Sequence, residues 1–288
     1  MTSESWTNLR VLRWTTERFE REGLDSPRLD AELLLAHCLG VDRVRLYVDF
    51  ERPLTPEELA RYRQTIQRRL GREPVAYITG AREFWSLSLL VSRDVLIPRP
   101  ESETLVERSL ALLQQIGEPS PLVVDVGTGS GAIAVALATE VPDARVVAVD
   151  IAPAALELAR ANADRTGVSL SLFGGDLLDA VPDDAGAPDL IVANLPYVTS
   201  AELEALQPEV ARWEPRLALD GGEDGLDLFR RLIPQAVRRL RTTGAIVLEI
   251  GQGQSERVID LLGRHGLVEV EVHRDLAGIA RVVSGRRS

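Results

Sequence analysis

Lysine is absent from this sequence, and all 33 of its basic side chains are arginines. With 44 acidic residues the formal net charge is −11, which disfavours a general binder of nucleic acid or of an anionic membrane. The missing lysine reads as a compositional bias of the genome and carries no mechanism. Cysteine occurs once, as Cys38 within the apolar stretch 33–39, so no intrachain disulfide is available and a reducing compartment is expected. Histidine occurs three times, at His37, His265 and His273; this scatter offers no metal-ligand spacing, and no metal is expected. No apolar run approaches the ~20 residues of a membrane-spanning helix. Residues 1–10 are acidic and polar and lack the basic-then-apolar order of a signal peptide. The expectation is a soluble, cytoplasmic protein with no membrane association.

What is present is ordinary globular chemistry: 288 residues, 45% apolar and 27% charged, enough for about two domains at ~150 residues each. Residues 1–80 read as a small helical domain. Ser26-Pro27 offers an N-cap and a first-turn proline before an apolar stretch that Gly40 ends. Thr55-Pro56-Glu57-Glu58 predicts a capping box, with Leu59, Tyr62, Ile66 and Leu70 recurring on one face and Gly71 closing the helix. This part holds 13 arginines and 13 acids, whereas the rest holds 20 arginines and 31 acids, so the whole net charge lies after residue 80.

Residues 81–100 form a linker in which the alternation of Phe84-Trp85-Ser86-Leu87-Ser88-Leu89-Leu90-Val91 predicts a strand or β-hairpin, stopped by Pro98 and Pro100. Residues 101–288 alternate helix and strand: a helix to about Gln115, a strand at 122–126, a helix to Thr139, a strand at 145–150 and a helix to Asp164. Further strands are expected at 170–173, 190–194 and 245–250. That order implies an α/β domain with a parallel sheet and ligands at the carboxyl ends of its strands. The tail differs, because 268–273 and 279–283 read as two alternating strands joined by a short turn. An antiparallel hairpin closing a parallel sheet is the pattern of methyltransferases more than of dehydrogenases.

Chemistry concentrates in two turns. After the strand at 122–126 comes Gly127-Thr128-Gly129-Ser130-Gly131, opening a helix; its alternate glycines let the backbone turn sharply and let a ligand approach where a Cβ would collide. A dinucleotide fingerprint has its third glycine one position later. Asp150 ends the next strand, 19 residues beyond Gly131, where a carboxylate can accept both hydroxyls of a ribose. Taken alone it would equally cap the following helix; paired with the turn in one βαβ unit it points to nucleoside binding. Asp176 and Leu177 follow Gly174-Gly175 and suit an adenine amino group and an adenine face, or simply a turn. At the end of the fourth strand stands Asn194-Leu195-Pro196-Tyr197. The Asn194 side-chain oxygen and the Leu195 carbonyl, its direction restricted by Pro196, can grip a planar NH2 group, with Tyr197 as an aromatic wall.

Together these elements resemble a class I S-adenosylmethionine-dependent methyltransferase acting on an amide or amino nitrogen. More narrowly, the chain resembles the release-factor glutamine-N5 methyltransferases of the HemK/PrmC family over nearly its full length. The resemblance rests on Glu73-Pro74-Val75-Ala76-Tyr77-Ile78-Thr79-Gly80, on Glu83-Phe84, and on Val95-Leu96-Ile97-Pro98-Arg99-Pro100-Glu101-Ser102-Glu103. It extends through 125–131, Asn194–Tyr197, Glu214-Pro215, the run from Leu219-Asp220-Gly221-Gly222 to Leu226, and Asp275-Leu276-Ala277-Gly278. The family usually has proline where this chain has Leu195, and Asn-Leu-Pro-Tyr also occurs in ribosomal-RNA adenine dimethyltransferases.

The resemblance implies a Rossmann-like, mostly parallel seven-stranded sheet with an antiparallel C-terminal hairpin, behind a helical substrate-recognition domain. It implies S-adenosyl-L-methionine as cofactor, held by 127–131, Asp150, Asp176, Leu177 and Asn194, and catalysis and substrate binding by Asn194 to Tyr197. Phe84 and Arg99 would belong to the wall over cofactor and glutamine; Arg99 suits a structural tie equally well. The implied substrate is the Gly-Gly-Gln glutamine of class-1 peptide chain release factors, with no direct nucleic-acid partner and no need for more than a monomer. Rival readings are a nucleic-acid adenine N6-methyltransferase, which predicts a basic groove, and a silent S-adenosylmethionine-binding partner, which predicts damaged site residues.

Overall fold

The computed structural model describes residues 5–288; residues 1–4, within the stretch 1–10 expected to carry no signal peptide, lie outside the described residues. The chain divides into two compact units, Met1–Gly80 with Pro208–Trp213, and Ala81–Gln207 with Glu214–Ser288.

The first unit is helical: α1 (Asn8–Arg21), α2 (Pro27–Leu39), α3 (Arg43–Val48), α4 (Pro56–Leu70) and α5 (Val75–Thr79). Their apolar faces meet around Phe19, Leu34, Leu35, Tyr62 and Ile66. Thr55 and Glu58 form the capping box: the Thr55 hydroxyl accepts from the Glu58 amide at 3.2 Å and the Glu58 carboxylate accepts from the Thr55 amide at 2.9 Å. Ser26 stands at the N-cap of α2 without a side-chain capping bond, and Gly40 closes that helix in the left-handed region. Gly71 follows α4 with φ −74°, so the reversal falls one residue later, on Arg72 at φ +66°.

The six residues from the second half of the chain join this unit through charge. Glu209, in the short helix Pro208–Ala211, accepts from Arg69 at 3.0 Å and from Arg72 at 3.2 Å. Arg69 is buried and also donates to Asp30 at 2.7 Å. No sequence signal marked 208–213 as part of the helical unit, because an ion pair across 140 positions leaves no periodic trace.

The second unit opens with a hairpin, β1 (Ala81–Phe84) and β2 (Leu87–Leu90), turned by Trp85 and Ser86, both left-handed as a two-residue type I′ turn requires. Buried Asn162 ties it down, accepting from the Leu90 amide at 2.6 Å and donating to the Leu90 carbonyl at 3.0 Å and to the Ser130 carbonyl at 2.8 Å. Then come α6 (Glu103–Ile116), β3 (Leu122–Val126), α7 (Ala132–Glu140), β4 (Arg145–Asp150), α8 (Pro153–Thr166), β5 (Leu170–Gly174) and β6 (Leu190–Ala193). After α9 (Pro208–Ala211) the order is α10 (Asp227–Arg239), β7 (Ala245–Glu249), α11 (Ser255–Arg264), β8 (Leu267–Arg274) and β9 (Ala280–Arg287).

The sheet order is β5-β4-β3-β6-β7-β9-β8, with every pairing parallel except those of β9, which runs antiparallel to both β7 and β8. Successive residues of β3 to β7 feed two cores. Val124, Ile191 and Ile246 face α10 and α11, while Val123, Val192 and Val247 face α6 and α7. The sheet thus has the class I methyltransferase form that the sequence implied. The tail does not alternate as expected. β9 slides between β7 and β8 and buries Val282, Val283 and Ser284 in succession, and β8 carries an irregularity between Val268 and Glu271. Helices α10 and α11 are not among the elements expected from the sequence; Pro234 falls inside α10, where proline argues against a helix.

Thr55→Ala removes the hydroxyl arm of the capping box from a helix that carries Tyr62 and Ile66 into the core. The expected cost is about 1 kcal/mol, read as a lower denaturant midpoint for the helical unit.

Candidate active site

The carboxyl ends of β3, β4 and β6 open onto a cavity of about 280 Å³. Its floor is the turn from Gly127 to Gly131, held by the Gly127 and Thr128 amides donating to the Val149 carbonyl at 2.8 and 2.9 Å. Asp150 completes the clamp: one carboxylate oxygen accepts from the Gly129 amide at 2.8 Å and the other from the Ala152 amide at 2.9 Å. Each oxygen retains a lone pair, and Asp150 borders the cavity.

The three glycines serve three different ends. At Gly129, φ is +55° and a Cβ would meet nothing within 4 Å, so the backbone is open to the cavity, as a bound cofactor requires. At Gly127 a Cβ would fall 2.9 Å from Leu195, and at Gly131 it would fall 3.0 Å from Ala159 of α8. Gly127 thus meets the neighbouring loop while still lining the cavity, and the expected approach of a ligand is corrected at Gly131 alone, which receives a helix. Thr128 and Ser130 line the cavity, and Gly131 does not.

Asp176 and Leu177 also line it. Leu177 is buried and left-handed, and Asp176 forms an ion pair with Arg231 of α10 at the rim. Arg231 lay in no motif. Phe84 contributes a buried wall from the hairpin. Arg99 does not border the cavity; it pairs with Glu214, a buried carboxyl that burial raises above its ordinary pKa and whose other oxygen takes the Ile97 amide at 3.3 Å. Of the two roles left open for Arg99, this contact is the tie.

Asn194, Leu195 and Pro196 face the same cavity. The Asn194 amide nitrogen donates to the Ser102 hydroxyl at 3.2 Å, and its Oδ1 takes no hydrogen bond from the described residues. Leu195 is 4% exposed and packs against Gly127, so its side chain has a packing role beyond the carbonyl expected of it. Tyr197 is turned from the cavity: its hydroxyl donates to Glu249 at 3.2 Å, and its carbonyl accepts from Gln254 at 2.9 Å. Burial, with Glu249 nearby, pushes the Tyr197 phenol well above its ordinary pKa. It is a support for the tetrapeptide and not the wall expected.

The Leu219–Leu226 run, which entered above only by resemblance, lies against this loop. A Cβ at Gly225 would sit 2.3 Å from the Tyr197 carbonyl oxygen, and one at Gly221 would sit 2.7 Å from the Tyr197 Cα. Ser102 and Glu249 were missed as site residues; the one available signal was a charged side chain closing an apolar strand, as Asp150 does.

The N-terminal part matches the family described as PrmC N-terminal domain over residues 10–80, and residues 123–214 match a methyltransferase domain. A release factor glutamine methyltransferase of Geobacter sulfurreducens is 46% identical over 98% of this chain and 98% of its own. One of Cereibacter sphaeroides is 43% identical over 96% and 97%. Among solved structures, a methyltransferase from Pyrococcus furiosus superposes with a TM-score of 0.52 at 18% identity, covering 78% of this chain and 98% of its own, a likeness of fold.

Asp125 lies beneath the cavity floor, fully buried, accepting from the Thr128 hydroxyl at 2.7 Å while its Oδ1 has no partner. Burial, reinforced by the charge of Asp150, raises its pKa to about 7. A folded-state pKa above the unfolded value means that folding favours the protonated form. This contribution is fully present below about pH 4 and is lost as pH rises through about 7. Asp125→Asn has no charge to bury, so the variant's stability relative to wild type should rise between about pH 4 and 7 and level off above that. Denaturant midpoints that keep a constant difference across that range would show that Asp125 does not titrate there.

Proposed function

The chain belongs to the release factor glutamine methyltransferases, and from that premise we propose that it methylates the side-chain amide nitrogen of the Gly-Gly-Gln glutamine in class-1 peptide chain release factors. The observation that carries the reading is the shared cavity: Gly129 and Asp150 border it on one side and Asn194, Leu195 and Pro196 on the other.

The residues fit S-adenosyl-L-methionine. Gly129 offers bare backbone, Asp150 offers two lone pairs to a ribose, and Asp176 and Leu177 border the region suited to a base. When bound, this cofactor supplies an electrophilic sulfonium methyl group. An amide nitrogen is a poor nucleophile because its lone pair is delocalised into the carbonyl. Asn194 Oδ1 and the Leu195 carbonyl accept its two N–H bonds and aim the lone pair toward the methyl. They favour the more positive, partly pyramidal nitrogen of the transition state. No strong general base is required, because the nitrogen loses its proton to solvent after the methyl has moved, and positioning within ~3–3.5 Å supplies much of the rate.

The acid excess after residue 80 suits a basic protein surface, and the neutral helical residues 1–80 provide recognition of the protein substrate. A translation factor as substrate implies a cytoplasmic reaction. The adenine N6-methyltransferase reading shares the tetrapeptide, but 20 arginines against 31 acids in the catalytic part oppose it.

Incubation with labelled S-adenosyl-L-methionine and either a release factor or RNA separates the readings: label belongs on the glutamine, and label on RNA alone overturns the assignment. Asn194→Ala should lower kcat by roughly a hundredfold while the cofactor Kd changes only a few-fold. Near-normal turnover in that variant would overturn the acceptor role.

A further inference from the structure

Three polar side chains of α10 all hold one segment of the chain. Arg231, Gln235 and Arg239 recur every four residues and so share a face of the helix. Arg239 donates to the Leu178 carbonyl, to the Val181 carbonyl at 2.7 Å and to Asp183 at 2.9 Å. Gln235 accepts from the Leu178 amide at 3.0 Å and donates to Asp179 at 3.4 Å. Arg231 pairs with Oδ2 of Asp176, and both of these residues border the cavity. The partners run from Asp176 to Asp183, the segment after β5 whose first two residues, Asp176 and Leu177, line the site.

That segment is tightly built. Leu177 is left-handed at φ +51° with its side chain buried, and a Cβ on Gly175 would fall 2.8 Å from Ala180. A left-handed backbone at a residue other than glycine persists only where its surroundings impose it, and such residues collect at ligand clamps. Gln235 and Arg239 hold the backbone of the segment. Arg231 acts differently, because what it holds is a side chain. An unpaired aspartate turns about two bonds and presents either oxygen in several directions. With Oδ2 on Arg231 the Asp176 carboxylate has one orientation, and Oδ1, which takes no hydrogen bond from the described residues, is the oxygen left for a ligand.

We propose that Arg231 is a positioning residue that sets the base selectivity of the cofactor site, by fixing the Asp176 carboxylate to accept from the amino group of adenine. Adenine carries a donor NH2 with an acceptor ring nitrogen beside it. A 6-oxo purine reverses the pair, with a carbonyl in place of the NH2 and a ring N–H beside it. A carboxylate that swings freely satisfies either base, taking the amino group of one or the ring N–H of the other. One that is held toward the amino position meets the carbonyl of a 6-oxo base lone pair to lone pair. The ion pair is half exposed, so it adds little to folding, and its effect is on direction. The proposal rests on the placement of Asp176 at the base in the function proposed above.

Calorimetric binding of S-adenosyl-L-homocysteine and of its 6-oxo counterpart, S-inosyl-L-homocysteine, tests this without turnover. At neutral pH the two ligands share charge, ribose and amino-acid tail, so the ratio of their Kd values reads the base alone. Wild-type protein should bind the adenosyl form about thirtyfold more tightly or better, and Arg231→Met, which keeps the stem and removes the donors, should bring the ratio within about threefold. Asp176→Asn, whose amide both donates and accepts, should narrow it as well. If Arg231→Met weakens both ligands equally, or keeps the wild-type ratio while Asp176→Asn narrows it, the role of Arg231 is overturned and the placement of Asp176 stands. A wild-type ratio near one, or a ratio that Asp176→Asn leaves unchanged, would instead overturn the placement of Asp176 at the base.

Discussion

One row across the parallel sheet sets the geometry of this site. The register pairs Val149 with Val126, Val126 with Ala193, and Ala193 with Leu248. The residues one step further along are Asp150, Gly127, Asn194 and Glu249. Adjacent strands lie about 4.8 Å apart, so these four residues are spaced by backbone hydrogen bonding before any side chain is considered. A shift of β6 by one residue would turn Asn194 to the other face and bring Leu195 into its place.

Contacts on either side of the row make it rigid. Leu195 packs where a side chain on Gly127 would sit, so the glycine turn and the Asn194–Tyr197 loop share a surface. Asn162 fastens the hairpin to the Ser130 carbonyl, carrying Phe84 to the cavity wall. Gln254 accepts from the Gly251 amide at 2.9 Å and donates to the Tyr197 carbonyl, while Gly221 and Gly225 also come close to Tyr197. Tetrapeptide, glycine-rich run and strand end form one assembly, although nearly sixty positions separate Tyr197 from Gln254. Its buried carboxyls, Asp125 and Glu249, both have pKa values raised to about 7 by burial, so the rigidity is obtained at some cost in stability above neutrality.

Much of this was legible beforehand where the signal was local. The capping box at Thr55, the strands at 122–126 and 145–150 and the glycine turn depend on neighbours within a few residues, and the structure has them at those positions. Legibility ended where a residue answers to a distant partner. Gly131 looked like a ligand contact and is a helix contact; Tyr197 looked like a cavity wall and is a buried strut. The last strand looked amphipathic and is covered on both faces, because β9 enters between two others.

The sequence by itself determined the order of elements from α6 to β6, the glycine turn after β3 and the tetrapeptide that ends β6, since periodicity, capping and glycine placement act over one or two turns of chain. Only the tertiary structure decided that Arg99 ties to Glu214, that Glu209 joins the helical unit, and that Glu249 stands beside Asn194. Those outcomes follow from strand register and from the desolvation of buried charge. Both exist only when segments far apart in the chain are brought together.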